Sequence, residues 1–195
     1  PAGDLAIDSI TPPSATFCSG SQTNIEVHAS STEGLGSNSY TWTLPNNSNV
    51  AGKSVLAASG GTYNIQVQDS AHCRVNGSVQ ITEIQQPTTA SAGPDQTVCA
   101  ETATLQGNTP NVGTGLWTVL EGTALVTNPA LANSGITLLS PGLNRFRWTI
   151  TNGGICISDD TVSIVRDIMP SAANAGPDQQ ICADAGALAA IQPLV

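Results

Sequence analysis

Apolar and polar residues alternate with period two in nearly every segment of this chain that Gly, Pro, Asn or Ser does not interrupt. The first half carries four such runs: Asn24-Ile25-Glu26-Val27-His28, Tyr40-Thr41-Trp42-Thr43-Leu44, Tyr63-Asn64-Ile65-Gln66-Val67 and Ser78-Val79-Gln80-Ile81-Thr82. The second half carries Thr102–Leu105, Leu116–Leu120, Ile136–Leu139, Asn144–Ile150 and Thr161–Val165. Successive side chains of a strand point to opposite faces, so this alternation predicts strands with one face in a core and one in water. Turn-forming groups separate the runs: Pro45-Asn46-Asn47, Gly60-Gly61, Thr109-Pro110-Asn111, Pro141-Gly142 and Asn152-Gly153-Gly154. No stretch follows the helical period. Short strands divided by such turns predict an all-β chain built of β-sandwiches.

The pattern also repeats on a longer scale. Residues 92–100 read AGPDQTVCA and residues 175–183 read AGPDQQICA, an offset of 175 − 92 = 83. The register holds without a slip: Pro87 matches Pro170, Leu105 matches Leu188, Pro110 matches Pro193 and Val112 matches Val195. A constant offset is the mark of a repeated module. The expected division is 1–86, 87–168 and the start of a further copy at 169–195. Its boundaries, Glu83–Thr89 and Asp167–Ser171, are short segments in which a proline stops a strand. Linkers this short predict modules arranged end to end with little freedom. The chain opens at Pro1 with neither a Met nor a charged-then-apolar leader, and reads as an interior piece of something longer.

Composition narrows the possible partners. With 14 acidic against 5 basic residues the net charge is −9, which argues against nucleic acid or an anionic membrane, since neutralising phosphates takes clustered cations. No apolar run reaches the length that spans a bilayer, so no membrane insertion is expected in this segment. Charged residues make up 10% of the chain and aromatics 4%. That leaves small cores between polar strands, a setting in which covalent staples gain importance.

Five cysteines occur, at 18, 73, 99, 156 and 182. Cys18 and Cys73 stand 55 positions apart and Cys99 and Cys156 stand 57 apart, one pair inside each complete module. Each first cysteine precedes the second strand of the expected pattern, and each second cysteine falls near the last hairpin. Two intramodule disulfides, Cys18–Cys73 and Cys99–Cys156, are therefore expected, each worth on the order of 4 kcal/mol if chain entropy dominates. Cys182 is the repeat image of Cys99, and its partner is expected beyond Val195. With no C-x-x-C pair and only His28 and His72 available, zinc ligation is not supported. Disulfides imply an oxidising, extracytoplasmic compartment.

Two resemblances add to this reading. The stretch holding Cys18-Ser19-Gly20, Tyr40-Thr41-Trp42, Gly61–Asp69, Cys73 and Val79–Glu83 resembles a SprB repeat, although that family usually has Gly where this chain has His72. The stretch holding Ala92–Cys99, Leu116-Trp117-Thr118-Val119 and Phe146–Gly153 resembles the PKD-like immunoglobulin-fold repeats found with it in secreted surface proteins of the Bacteroidota. The resemblance implies tandem immunoglobulin-like or PKD-like sandwiches in a large extracellular, cell-surface adhesin or filament. It further implies a role in gliding motility or surface attachment and export by the type IX system.

Candidate chemistry is sparse. Asp167 and Asp178 flank the second boundary and are the candidate calcium ligands; Asp95 and the Asp159-Asp160 pair are the other acids considered. No D-x-D-x-D-G run supports a dedicated loop, and solvated acidic turns are the favoured account of them. No G-x-S-x-G elbow is present, so no enzyme is expected. Trp42, Trp117 and Trp148 sit at alternating strand positions, which favours core anchors over a sugar-stacking platform. Ser9, Ser70 and Thr161 follow Asp and precede an aliphatic residue, the pattern that the implied lineage O-glycosylates on exported proteins. The expectation is a non-catalytic adhesive stalk whose partners are neighbouring repeats and a surface polysaccharide or other extracellular ligand. A carbohydrate-binding or spacer module of a secreted enzyme is the alternative.

Overall fold

The computed structural model describes residues 5–31, 38–180, 182 and 185–192. Pro193 and Val195, the last two repeat matches, lie outside them. Every regular element among the described residues is a strand. The chain forms two compact units: residues 1–88 with 110–114 and 150–158, and residues 89–109 with 115–149 and 159–195. This grouping in space differs from a cut at 86/87 along the sequence, because the first unit takes in two short stretches from further down the chain.

The first unit holds β1 (Leu5–Thr11), β2 (Ser14–Cys18), β3 (Thr23–Ser31), β4 (Ser39–Thr43), β5 (Asn49–Ala51), β6 (Ser54–Ala57), β7 (Gly61–Gln68) and β8 (Arg74–Ile84). They make a three-stranded sheet, β1-β3-β6, and a five-stranded sheet, β2-β8-β7-β4-β5. The alternation of β7 buries Tyr63, Ile65 and Val67; with Trp42, Val79 and Ile81 of the same sheet they form one cluster with Ile25, Val27, Val55 and Ala57 of the other. Trp42 lies fully inside, and its indole N–H donates to the Gly52 carbonyl at 3.1 Å. The strand pairings are antiparallel except one: β2 runs parallel to the C-terminal half of β8, from Ser14 opposite Gln80 to Cys18 opposite Ile84.

The remaining strands are β9 (Gln96–Val98), β10 (Ala103–Thr104), β11 (Thr114–Glu121), β12 (Leu125–Val126), β13 (Gly135–Thr137), β14 (Gly142–Asn152) and β15 (Cys156–Arg166). Their sheets are β10-β13-β12 and β11-β14-β15-β9. Inward positions of β14 and β15 in the second unit carry Phe146, Trp148, Val162 and Ile164, all buried. Trp148 meets Trp117 with ring centroids 5.0 Å apart and planes tilted by 36°, within the distance range of favourable aromatic pairs. β9 repeats the device of β2: it runs parallel to the end of the last strand, with Val98 opposite Arg166.

The polar residue Asn144 is fully buried at the start of β14. Its amide donates to the carbonyls of Ser140, Gly142 and Ile164, and its oxygen accepts from the Ser140 amide and hydroxyl. The side chain thereby stands in for backbone partners that the Pro141-Gly142 turn cannot supply. Replacing it strands several buried groups at once. Asn144→Ala is expected to destabilise the chain by about 3 kcal/mol, read as a lower urea midpoint with unchanged slope.

Candidate functional site

The cysteines are placed by the two parallel edge strands. Cys18 ends β2 beside Ile84, the last residue of β8, whereas Cys73 lies in the turn that precedes the first residue of β8. The 84 − 73 = 11 residues between those points span roughly 35 Å of extended chain, far beyond the ~7 Å Cα separation that a disulfide bridges. The same geometry separates the second pair: Cys99 follows Val98 at the C-terminal end of β15, and Cys156 is the first residue of that strand. The expected bonds Cys18–Cys73 and Cys99–Cys156 are thus corrected. Cys18 is bonded to Cys156, with Cα atoms 5.5 Å apart and a sequence separation of 138. Cys73, Cys99 and Cys182 carry free thiols.

The bond sits in a closely fitted part of the first unit. Asn152 donates its side-chain amide to the Gln85 carbonyl at 2.8 Å, and Cys156 Sγ lies 3.8 Å from the Ile84 carbonyl. Gly153, with φ of 60°, approaches the Ile84 side chain so closely that a Cβ there would overlap it. On the other side of Pro87, which is buried, the Thr88 hydroxyl accepts from the amides of Asn111 and Val112 at 2.9 Å each. Residues 84–88 are therefore held by both inserted stretches of the unit, 110–114 and 150–158. Closing a loop of 138 positions is worth about 5 kcal/mol on the chain-entropy account.

His72 stands in the turn before Cys73 with an uncommon backbone conformation. Its φ is 69°, in the left-handed region where a Cβ is strained. Around it the Asp69 carboxylate accepts from the Cys73 amide at 2.9 Å and the Asp69 carbonyl accepts from the His72 amide. His28 lies mid-strand in β3, opposite Ser9, and points outward. In the same unit the Gly60 amide, and after it the Ser19 hydroxyl, hold the Glu83 carboxyl below its usual range.

Most of the candidate acids have structural partners. Asp95 accepts from the Ser163 amide and Asp160 from the Ala92 amide, both at 2.8 Å, so together they tie residues 92–96 to β15. Asp8 accepts from the Ser30 hydroxyl, and Asp159 pairs with Arg147 at 3.7 Å on the surface. Asp167 and Asp178 are exposed; Asp167 uses its amide to bond the Val98 carbonyl, and Asp178 is the repeat image of Asp95. Among the described residues, no three His, Cys, Asp or Glu side chains converge as a metal site would require. Ser9, Ser70 and Thr161 are all exposed, on β1, in the turn after β7 and on β15.

Trp42, Trp117 and Trp148 are 0%, 3% and 0% exposed, so none presents a stacking face. Arg166 and Glu101 line a shallow cleft of about 410 Å³ in the second unit. The guanidinium there is committed to the Leu139 carbonyl and the Glu101 carboxylate, both at 2.8 Å. No helix among the described residues is long and apolar enough to cross a membrane.

The chain is similar in fold to known structures built of immunoglobulin domains. A four-immunoglobulin-domain fragment of Sidekick-1 matches 86% of the chain at 14% identity and a TM-score of 0.50, and the chain spans about half, 49%, of that fragment. A three-immunoglobulin segment of titin matches 87% of it at 13% identity and a TM-score of 0.48, over 67% of that segment. At such identities the likeness is one of fold. No family model matches the sequence, and no curated protein does. The class is therefore all-β with tandem immunoglobulin-like sandwiches.

Two outcomes check the site. Cys18→Ser or Cys156→Ser is expected to lower stability by up to about 5 kcal/mol, while Cys73→Ser leaves the thermal midpoint unchanged. His72→Gly is expected to raise stability by about 1 kcal/mol, since it relieves a left-handed residue that has a Cβ; circular dichroism melts under oxidising conditions read both.

Proposed function

We propose that this chain is a non-catalytic stalk segment of a large extracellular, cell-surface adhesin or filament of the SprB-like type, carried outside the cell by the type IX system and used in gliding motility or surface attachment. The observation that carries the reading is the Cys18–Cys156 bond. Tension arriving from the N-terminal side reaches Cys18, crosses the bond to Cys156 and continues toward the C-terminus. The strands between those cysteines stay outside the force path. A segment that must transmit load without unravelling needs such a shortcut, and its persistence needs an oxidising, extracellular setting.

The short-looped sandwiches support a mechanical role. The tryptophans are interior, Asp69, Asp95 and Asp160 clasp backbone amides, and the histidines occupy an outward strand position and a tight turn. The surface polysaccharide or other ligand belongs to the assembled adhesin, for which this segment supplies length and stiffness.

Pulling single chains from their ends tests the mechanical reading. In the oxidised chain the 138-position loop stays closed; adding a reductant is expected to lengthen the unfolded chain by roughly 450–500 Å. Equal lengths with and without reductant would contradict it. In the source cells, Cys18→Ser is expected to reduce attachment under flow at equal surface display, and unchanged attachment would count against an adhesive stalk.

A further inference from the structure

The cysteine geometry recurs in both sequence modules. In each, a short edge strand runs parallel to the end of the last strand and delivers a cysteine there: Cys18 beside Ile84, and Cys99 one residue past Val98, which faces Arg166. In each, the second cysteine stands at the start of that last strand: Cys73 just before Arg74, and Cys156 as the first residue of β15. The two positions lie at opposite ends of an 11-residue strand. The bond that forms is the one from the edge-strand cysteine of residues 1–86 to the hairpin cysteine of residues 87–168.

We propose that this is a rule of assembly, and that Cys99 forms the next bond in the series, to the hairpin cysteine of the repeat that follows. This rests on the stalk reading above, in which the repeat continues. That cysteine falls 57 positions after Cys182, the spacing from Cys99 to Cys156. Cys73 is, by the same rule, the acceptor for a preceding module. Each bond takes two thiols to one disulfide, and the two hydrogens and two electrons pass to a disulfide-type oxidant that leaves as two thiols.

Three further observations point the same way. The thiol of Cys99 is exposed, so a partner can reach it. At the first boundary Ile84 is half-covered and Pro87 buried, whereas at the second Ile168, Met169 and Pro170 are all exposed, with Ile168 at 52% and Met169 at 71%. Pro170 is the repeat image of Pro87 and Asp167 that of Ile84, so the second boundary keeps the proline and offers Ile168 and Met169 as the apolar surface beside it. Finally, the following repeat has begun with the same local geometry. Gly93 and Gly176 share a φ of 83°, Gln96 and Gln179 donate to the carbonyls of Thr104 and Ala187, and the Asn108 and Ile191 amides bond the Ser91 and Asn174 carbonyls at 3.0 Å. Leu188 is the image of the fully buried Leu105.

The test extends the chain by its own sequence. Because Val195 is in register with Val112, appending residues 113–168 after Val195 completes the repeat. In the 195-residue chain, Cys73, Cys99 and Cys182 are expected to alkylate. In the extended chain, oxidised with glutathione disulfide and digested without reduction, Cys99 is expected to lose its reactivity and appear linked to the appended hairpin cysteine, with Cys182 still free. Cys99→Ser should free that hairpin cysteine, and Cys182→Ser should not. Capture of the appended cysteine by Cys182, or a Cys99 that stays reactive, overturns the proposal. The same digest of the polypeptide from its source, thiols blocked at lysis, must show the Cys99 link, and its absence there counts equally against it. Neither readout depends on attachment, so the adhesive reading can fail separately.

Discussion

A parallel pairing between a short edge strand and the end of the last strand governs how this protein can be stapled. It sets Cys18 beside Ile84 and Cys99 beside the end of β15, a full strand length from the cysteine that sequence spacing assigns to each. Covalent closure inside one sequence module is then impossible, because a disulfide tolerates only a few ångströms of Cα separation. The first unit instead closes on the β14–β15 tip, where Ile84 and Gln85 already hold that tip, and Thr88 the 110–114 stretch, by shape and hydrogen bonds. The disulfide fixes an arrangement that non-covalent contacts have made.

Much of the fold was legible in the sequence because period-two alternation is a strong signal in long, half-buried strands. The runs around Ile25, Trp42, Ile65, Val79, Trp148 and Val162 all became strands with the alternate residues inside. The strands without a signal are short or lie at edges: β1, β2, β5, β6, β9 and β12. Two of these, β2 and β9, decide the cysteine geometry, which is why the disulfide partners were not readable. Spacing along the chain said that Cys18 and Cys73 were comparable in distance to Cys99 and Cys156, but it could not say at which end of a sandwich each one sits. The fate of the acids was hidden for a similar reason: the amides that Asp95 and Asp160 accept from are 68 positions away in sequence.

The 83-residue repeat is a statement about structure as well as letters. Equivalent glycines share a left-handed turn, and equivalent glutamines make the same side-chain-to-carbonyl bond. The described residues between Asn174 and Ile191 therefore repeat the turn and bonds of residues 91–108. The acidic, charge-poor composition fits the same picture: turns rich in Gly, Asn and Ser connect polar strands, and Asp69, Glu83, Asp95 and Asp160 serve as clasps for backbone amides.

Peptide mapping of the oxidised chain without reduction tests the account most directly. A single linked pair, Cys18 with Cys156, beside alkylated Cys73, Cys99 and Cys182, is the result expected. Linked pairs Cys18–Cys73 and Cys99–Cys156 would contradict the strand pairing, the force path and the proposed series of bonds together.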